Sequence, residues 1–180
     1  MGYKYLLAYK ITVPIYDLTM QFCAKHISYK SRTLDQMQQA ARSGKQNIAE
    51  GYCEKSLATY IKLAGVARAS QEELLEDYKD YARVNKLTIW PKERSKREIR
   101  EVGEIWEILR ENKILPDNPN FPNLPNNPEI AINLMITLIN QATYLLDKLT
   151  SALEEKHKIE GGFSENLLKK RLDLKRRRTL

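Results

Sequence analysis

Cysteine is almost missing from this chain: Cys23 and Cys53 are the only two among 180 residues. Two thiols cannot build a disulfide scaffold or a thiolate metal cage, and they predict reduced sulfhydryls in a cytoplasmic protein. Glycine and proline are scarce, at 7 each. Their scarcity excludes collagen-like and low-complexity architectures and leaves long stretches without helix breakers. Long hydrophobic runs are also lacking. Runs such as Leu134-Met135-Ile136 fall far short of the roughly 20 apolar residues of a membrane span, so no membrane partner is expected. The start, Met1-Gly2-Tyr3-Lys4, has no apolar signal-peptide region, and Leu6 stands where a myristoylation signal needs Ser or Thr.

What the chain does have is apolar spacing of 3 and 4, the mark of amphipathic helices. Ile11, Ile15, Leu18 and Phe22 form a first stripe. Thr12 reads as its cap, and Pro14 is placed near its start, where a helix tolerates proline. Leu34, Met37, Ala41, Gly44 and Ile48 form a second seam, opened by a Thr33/Gln36 capping box and stopped by Gly51. Ser56 caps a third segment with Tyr60, Ala64, Ala67, Gln71, Leu74 and Tyr78 on one face. Ser95 and Glu98 open a short amphipathic helix. A Pro/Asn-rich stretch from Pro116 to Pro128 follows as an extended connector, with Phe121 and Leu124 to pin it. Asn127 before Pro128 begins the last long helix, which ends by Gly161-Gly162.

These segments predict helices near 8–29, 33–50, 56–86, 96–112 and 128–158 and no sheet. The fold class is all-α: an up-down-up-down four-helix bundle, with the short helix and the connector between helices three and four. Residues 1–160 form the bundle, with an insert at 87–127, and residues 161–180 a basic tail. The small residues of helices two and three, Gly44 among them, predict that this pair approaches closely.

Chemistry is sparse. A ferritin-like di-iron site needs paired Glu-x-x-His motifs, and the chain has 2 His in total, with the spacing met once at Glu154 and His157. The acidic run Glu72, Glu73, Glu76, Asp77, Asp80 reads as a solvated face, with Arg68, Lys79 and Arg83 in reach for ion pairs. No glycine loop follows a strand to cradle phosphate. An enzyme is not expected, nor a metal or cofactor.

Charge is more informative. The net charge is +7, and residues 161–180 hold 7 basic and 2 acidic side chains. The tail concentrates its cations in Lys169-Lys170-Arg171 and Lys175-Arg176-Arg177-Arg178, with Leu167, Leu168 and Leu172 on one side. Further cations stand at the first helix–helix corner (Lys25, Lys30, Arg32) and on helix two (Arg42, Lys45). Basic clusters attract polyanions.

One block is distinctive: Ala40-Ala41-Arg42-Ser43-Gly44-Lys45-Gln46-Asn47-Ile48-Ala49-Glu50-Gly51. It reads as a small-residue helix end with Asn47 as a buried polar link. Glu50 falls in a last turn that disfavours negative charge and so calls for a compensating partner. The segment Asn47, Ile48, Ala49, Glu50, Gly51 resembles the signature of the four-helix bundle protein family whose founders are encoded in intervening sequences of bacterial 23S ribosomal RNA genes. Ser56, the small residues Ala67 to Ser70, and Glu73-Leu74 are similar to its next helix. Arg32 to Met37 and Glu72 to Tyr78 look like its longer, suffix-domain variety. The resemblance covers about residues 5–85. It implies a four-helix bundle assembled as a homo-oligomer, often a pentamer. It also implies kinship with the accessory variability determinant of diversity-generating retroelements, which binds a reverse transcriptase and nucleic acid.

Composition and resemblance together lead to a non-enzymatic, oligomeric adaptor that binds nucleic acid, RNA foremost, through Lys25, Lys30, Arg32, Arg42, Lys45 and the tail cations. The alternative is a protein-interaction scaffold or accessory subunit for a reverse transcriptase or another enzyme encoded nearby, in which the charges only solubilise.

Overall fold

The computed structural model describes residues 2–178, and side chains through Arg177. It is all-α, with no strand among the described residues. After a 3-10 turn at Tyr3–Tyr5 come α1 (Leu7–His26), α2 (Arg32–Cys53), α3 (Leu57–Val84), α4 (Lys92–Glu98), α5 (Arg100–Glu111), α6 (Pro128–Glu160) and α7 (Phe163–Arg178).

Four long helices make the core. α2 packs most extensively on α3, α3 also on α6, and α1 on both α2 and α6. Their apolar stripes meet in one cluster that includes Ile11, Phe22, Met37, Leu74, Tyr78, Met135 and Leu138, each without solvent exposure. The Phe22 ring meets Tyr78 and Tyr81 edge-on at 4.9 and 5.0 Å. The buried Tyr78 hydroxyl donates to Thr19 Oγ1 at 3.1 Å. One segment within Pro128–Arg177 is long and apolar enough to cross a membrane by length and composition, which run-counting did not foresee. In this fold 67% of that window is buried, so packing between α1 and α3 accounts for its apolarity.

Local signals hold at some ends and fail at others. Ser56 caps α3, accepting from the Thr59 N–H, and Asn127 caps α6, accepting from the Glu129 and Ile130 N–H groups with Pro128 at the first helical position. At α2 the cap is Ser31, two residues earlier than the Thr33 box required. At α1 the cap position is Leu6, and the Thr12 hydroxyl donates back to Tyr9 O inside the helix at 2.7 Å. Pro14 lies in the interior of α1, so its missing N–H leaves the Lys10 carbonyl without its usual helical donor. Gly51 does not stop α2, which runs on to Cys53. A Cβ there would stand 2.5 Å from the Tyr60 ring, so the glycine serves close approach of α2 and α3. Gly44 does the same against Gln71, as its small size predicts. The single short helix expected at 96–112 is two helices broken at Ile99, with Ser95 buried inside α4 rather than capping.

The insert is fastened to the core. Lys10 is buried, and its ammonium donates to Leu109 O at 3.0 Å and to Asn112 O, carbonyls at the C-terminal end of α5. A cation there complements the helix dipole. Burial still lowers the Lys10 pKa, because desolvation disfavours the charged form. Trp90 Nε1 donates to Glu129 at 2.8 Å and Trp106 Nε1 to Gln141 at 2.7 Å, both on α6. The connector returns along α1: the Leu124 N–H donates to Gln21 at 2.9 Å, and Leu124 is buried while Phe121 packs partly buried on the core.

Candidate nucleic-acid interface

The cations singled out by the sequence fall in three separate places. Lys25, Lys30 and Arg32 surround the turn between α1 and α2. Lys25 donates to Asn126 Oδ1 at 3.3 Å, Lys30 lies over its neighbour Tyr29 at 5.6 Å, and Arg32 is exposed at the first residue of α2. Arg42 is exposed midway along α2. Lys45 is not offered to solvent in the same way. Its ammonium sits 4.0 Å over the Tyr16 ring and faces Asp17, whose carboxyl burial pushes up and Lys45 pulls back down. Lys45 therefore works inside the α1–α2 contact, held by cation–π attraction.

The third place is α7. Its joint with α6 is built by two glycines. Gly161 has φ +76, a conformation that side chains resist. The Gly162 N–H donates to Glu165 at 2.9 Å and Asn166 Nδ2 to Glu160 O at 3.0 Å. Glu165 in the first turn suits the positive end of the helix dipole. Only the first two turns share a groove with the bundle end, formed with Tyr52, Leu57 and Leu153 and including Lys170. Among the described residues α7 has no extensive packing against another helix. Lys169, Lys170, Arg171, Lys175, Arg176 and Arg177 are all exposed, with Asp173 the one acid among them; the Arg178 side chain lies outside the described residues.

The expected single apolar side of the tail is corrected. At about 100° per residue, Leu168 and Leu172 lie on one edge and Phe163, Leu167 and Leu174 on another. Leucines and cations thus surround the helix, and all of these apolar residues are at least 43% exposed.

The corner group and α7 sit at opposite ends of α2, since Lys55 and Tyr52 lie beside the start of α7. A helix of 22 residues separates them by about 33 Å. The cations do not form one surface.

The motif residues are structural in placement. Asn47 is half-buried, not fully buried, and its amide donates to Ser43 O and Ser43 Oγ at 2.9 Å each. Ser70 Oγ donates to the same Ser43 hydroxyl at 3.0 Å, so the pair α2/α3 carries a short polar seam. Ile48 is buried and Ala49 half-buried. Glu50 is exposed and has no ion pair among the described residues, so the compensating cation expected beside it is not found there. Three acids of the run on α3 are paired as its spacing predicts, Arg68–Glu72, Lys79–Glu76 and Arg83–Asp80; Asp77 departs from the solvated face, being half-buried with its pKa raised by desolvation. Cys23 is buried and Cys53 exposed, both free. Among the described residues no group of three His, Cys, Asp or Glu could hold a metal ion.

The sequence reading missed a cleft of about 740 Å3 between α3, α4, α5 and the middle of α6. Both tryptophans, Trp90 and Trp106, line it, together with Lys79, Lys92 and Lys96. Lys92 and Lys96, four residues apart on one helix face, were the available signal. The comparisons are silent: no protein-family model, curated protein or solved structure matches the chain.

Proposed function

We propose that this chain is a non-enzymatic, oligomeric adaptor that binds nucleic acid, RNA foremost, through α7. The observation that supports this most is the helix itself: 16 residues, of which only the first two turns share a groove with the bundle, with its described cations exposed. An isolated helix of that length is marginal in water, and crowded like charges weaken it further. A polyanion removes the repulsion and releases counterions, which makes it the natural partner. The resemblance at Asn47 to Gly51 points the same way.

The layout we infer is an up-down-up-down bundle of α1, α2, α3 and α6. Each packs on two neighbours in a closed cycle, and the links between them reverse direction. The oligomer, a pentamer by resemblance, would multiply each basic group by symmetry and so raise modest affinities. Among the aromatics outside the tight helix seams, Tyr9 packs on Tyr3 and Tyr52 near Tyr60 and Tyr3, and Trp90 is bound to Glu129. Tyr5 stays 40% exposed and Tyr29 83%, which leaves them as candidates for an oligomer face. The exposed leucines of α7 favour the second reading, a scaffold that docks on a protein such as a reverse transcriptase encoded nearby.

Salt separates the two. Phosphate binding by the full chain weakens with a log–log slope of about −0.7 to −0.9 per phosphate neutralised, whereas apolar docking hardly responds. Truncation after Gly162 is expected to weaken RNA binding and flatten that slope while light scattering still shows an oligomer. RNA binding by the truncated chain equal to that of the full one defeats the proposal.

A further inference from the structure

The tryptophan cleft combines three features. Its walls are aromatic and apolar: Trp90, Trp106, Tyr144, Ile136 and Leu145. Both indole N–H groups are already engaged, with Glu129 and Gln141. The indoles can therefore offer only ring faces and edges, which suits stacking rather than hydrogen-bond readout. Trp90 is held further by the Arg94 guanidinium, 3.9 Å over its ring.

The second feature is charge. Three lysines line the cleft and no carboxylate does. Lys79 is paired with Glu76 at 2.7 Å. Lys92 and Lys96 are exposed and have no ion pair among the described residues, although Arg94 and Arg97 on the same helix both pair with Glu98. Like charges one turn apart destabilise a helix, and Lys92 stands at the helix N-terminus, where the dipole disfavours a cation. Two lysines without an ion pair among the described residues leave the rim of the cleft attractive to an anion.

The third feature is polar edge chemistry. Asn140 donates to Ile136 O through Nδ2 at 2.7 Å, which leaves its Oδ1 to accept. Gln141 accepts from Trp106 through Oε1, which leaves its Nε2 to donate. Both residues line the cleft, so it holds an unused acceptor and an unused donor for the polar edge of a ligand. The volume lies within the range of small-ligand sites.

We propose that this cleft takes a nucleotide unit of single-stranded nucleic acid, its base against Trp106 and Tyr144 and its phosphate on Lys92 and Lys96. The proposal rests on the nucleic-acid reading above. It adds selectivity to it: α7 supplies phosphate attraction to any strand, while a paired base cannot enter the cleft. Stacking on aromatics beside a basic rim is how sequence-tolerant single-strand sites work.

The chain has 2 tryptophans and both line the cleft, so their fluorescence and their two indole N–H resonances report on this site alone. The full chain is titrated with a single-stranded oligoadenylate, the same strand in a duplex, adenosine monophosphate, and a glutamate-rich peptide. The expected result is a saturable response to the single strand and a weaker one to the monophosphate. The duplex should bind without it. Lys92→Glu with Lys96→Glu should weaken the single-strand response by about tenfold or more, with circular dichroism unchanged, and the Lys92→Arg, Lys96→Arg pair should retain it. A strand that binds by anisotropy yet leaves both indoles unmoved overturns the cleft and leaves the α7 reading standing. A monophosphate response in a chain that binds no strand sinks the single-strand assignment and the nucleic-acid reading together, leaving a free-nucleotide site. A response to the acidic peptide alone gives the cleft to a protein segment and overturns the proposal.

Discussion

Two residues, Gly161 and Gly162, separate α6 from α7, and the helices on either side could hardly differ more. In α6 the residues Leu134, Met135, Leu138 and Ile139 have no exposure at all, while in α7 Leu168 is 55% exposed. α6 is fixed by the stripes of α1 and α3, and its buried polar residues bond to its own backbone, as Thr137 and Thr143 do, or bind the insert, as Asn133 does with Thr88 O and Trp90 N. α7 meets the bundle only through a groove at its first two turns and the cap at its joint, and its leucines stay exposed. Both helices contain leucines at helical spacing. The difference lies in what shares the helix with them: α6 keeps charge out of its buried middle, whereas α7 has 7 cations in its last ten described residues. Apolar spacing alone does not make a core helix; a face free of charge is also needed.

The largest test of this contrast swaps the same truncation between the two helices. Leu138→Ala should cost about 2–5 kcal/mol, because it leaves a cavity among fully buried neighbours. Leu168→Ala should stay within about 0.5 kcal/mol. Denaturant melts of both variants decide it, and equal losses would mean that α7 is packed in solution. A smaller effect tests the same distinction between covered and open faces inside the α2/α3 pair. Gly44→Leu should cost about 1–3 kcal/mol by overpacking against Gln71. Gly65→Ala on α3, with nothing within 4 Å of the new Cβ, should stabilise by about 0.5–1 kcal/mol. Thermal melts moving the same way for both would show that the seam is misplaced.

The smallest effect is set by pH. Burial pushes the Cys23 thiol from its ordinary 9.0 up to about 11. The unfolded thiol therefore ionises first as pH rises, so this contribution is complete below pH 9 and is lost between about 9 and 11. At pH 9.5 the loss is below about 1 kcal/mol. Tyr60, pushed up to about 12 by burial, adds its own loss above pH 10. Cys23→Ala should flatten the stability profile between 9 and 10. An unchanged profile would show that the thiol is not the group responsible. α7 has no buried acid to respond this way.

Sequence spacing reached the helices because 3-4 periodicity, Ser56, Asn127-Pro128 and Gly161 are local signals, read out by the backbone within one turn of themselves. It misplaced the ends of α1 and α2, where competing caps stand close together and only neighbouring packing chooses between them. Gly51 illustrates this: a helix stop and a close-approach glycine look alike until Tyr60 is in place. The tail cations were legible because their charge density needs no fold to be seen. Lys45 was not, since its place over Tyr16 depends on the α1–α2 contact.

By itself the sequence determined the all-α class, the Asn127 and Ser56 starts, the glycine seam of α2 and α3, and a cationic tail, all of which follow from side-chain size, spacing and charge along the chain. Only the tertiary structure decided that Lys10 would reach Leu109 and Asn112, that the cations would divide between opposite ends, and that Trp90 and Trp106 would meet Lys92 and Lys96 in one cleft. Lys10 and Leu109 lie on different helices, and so do Trp106 and the two lysines. Their meeting depends on how the insert folds back over α6, a long-range packing choice that no local spacing encodes.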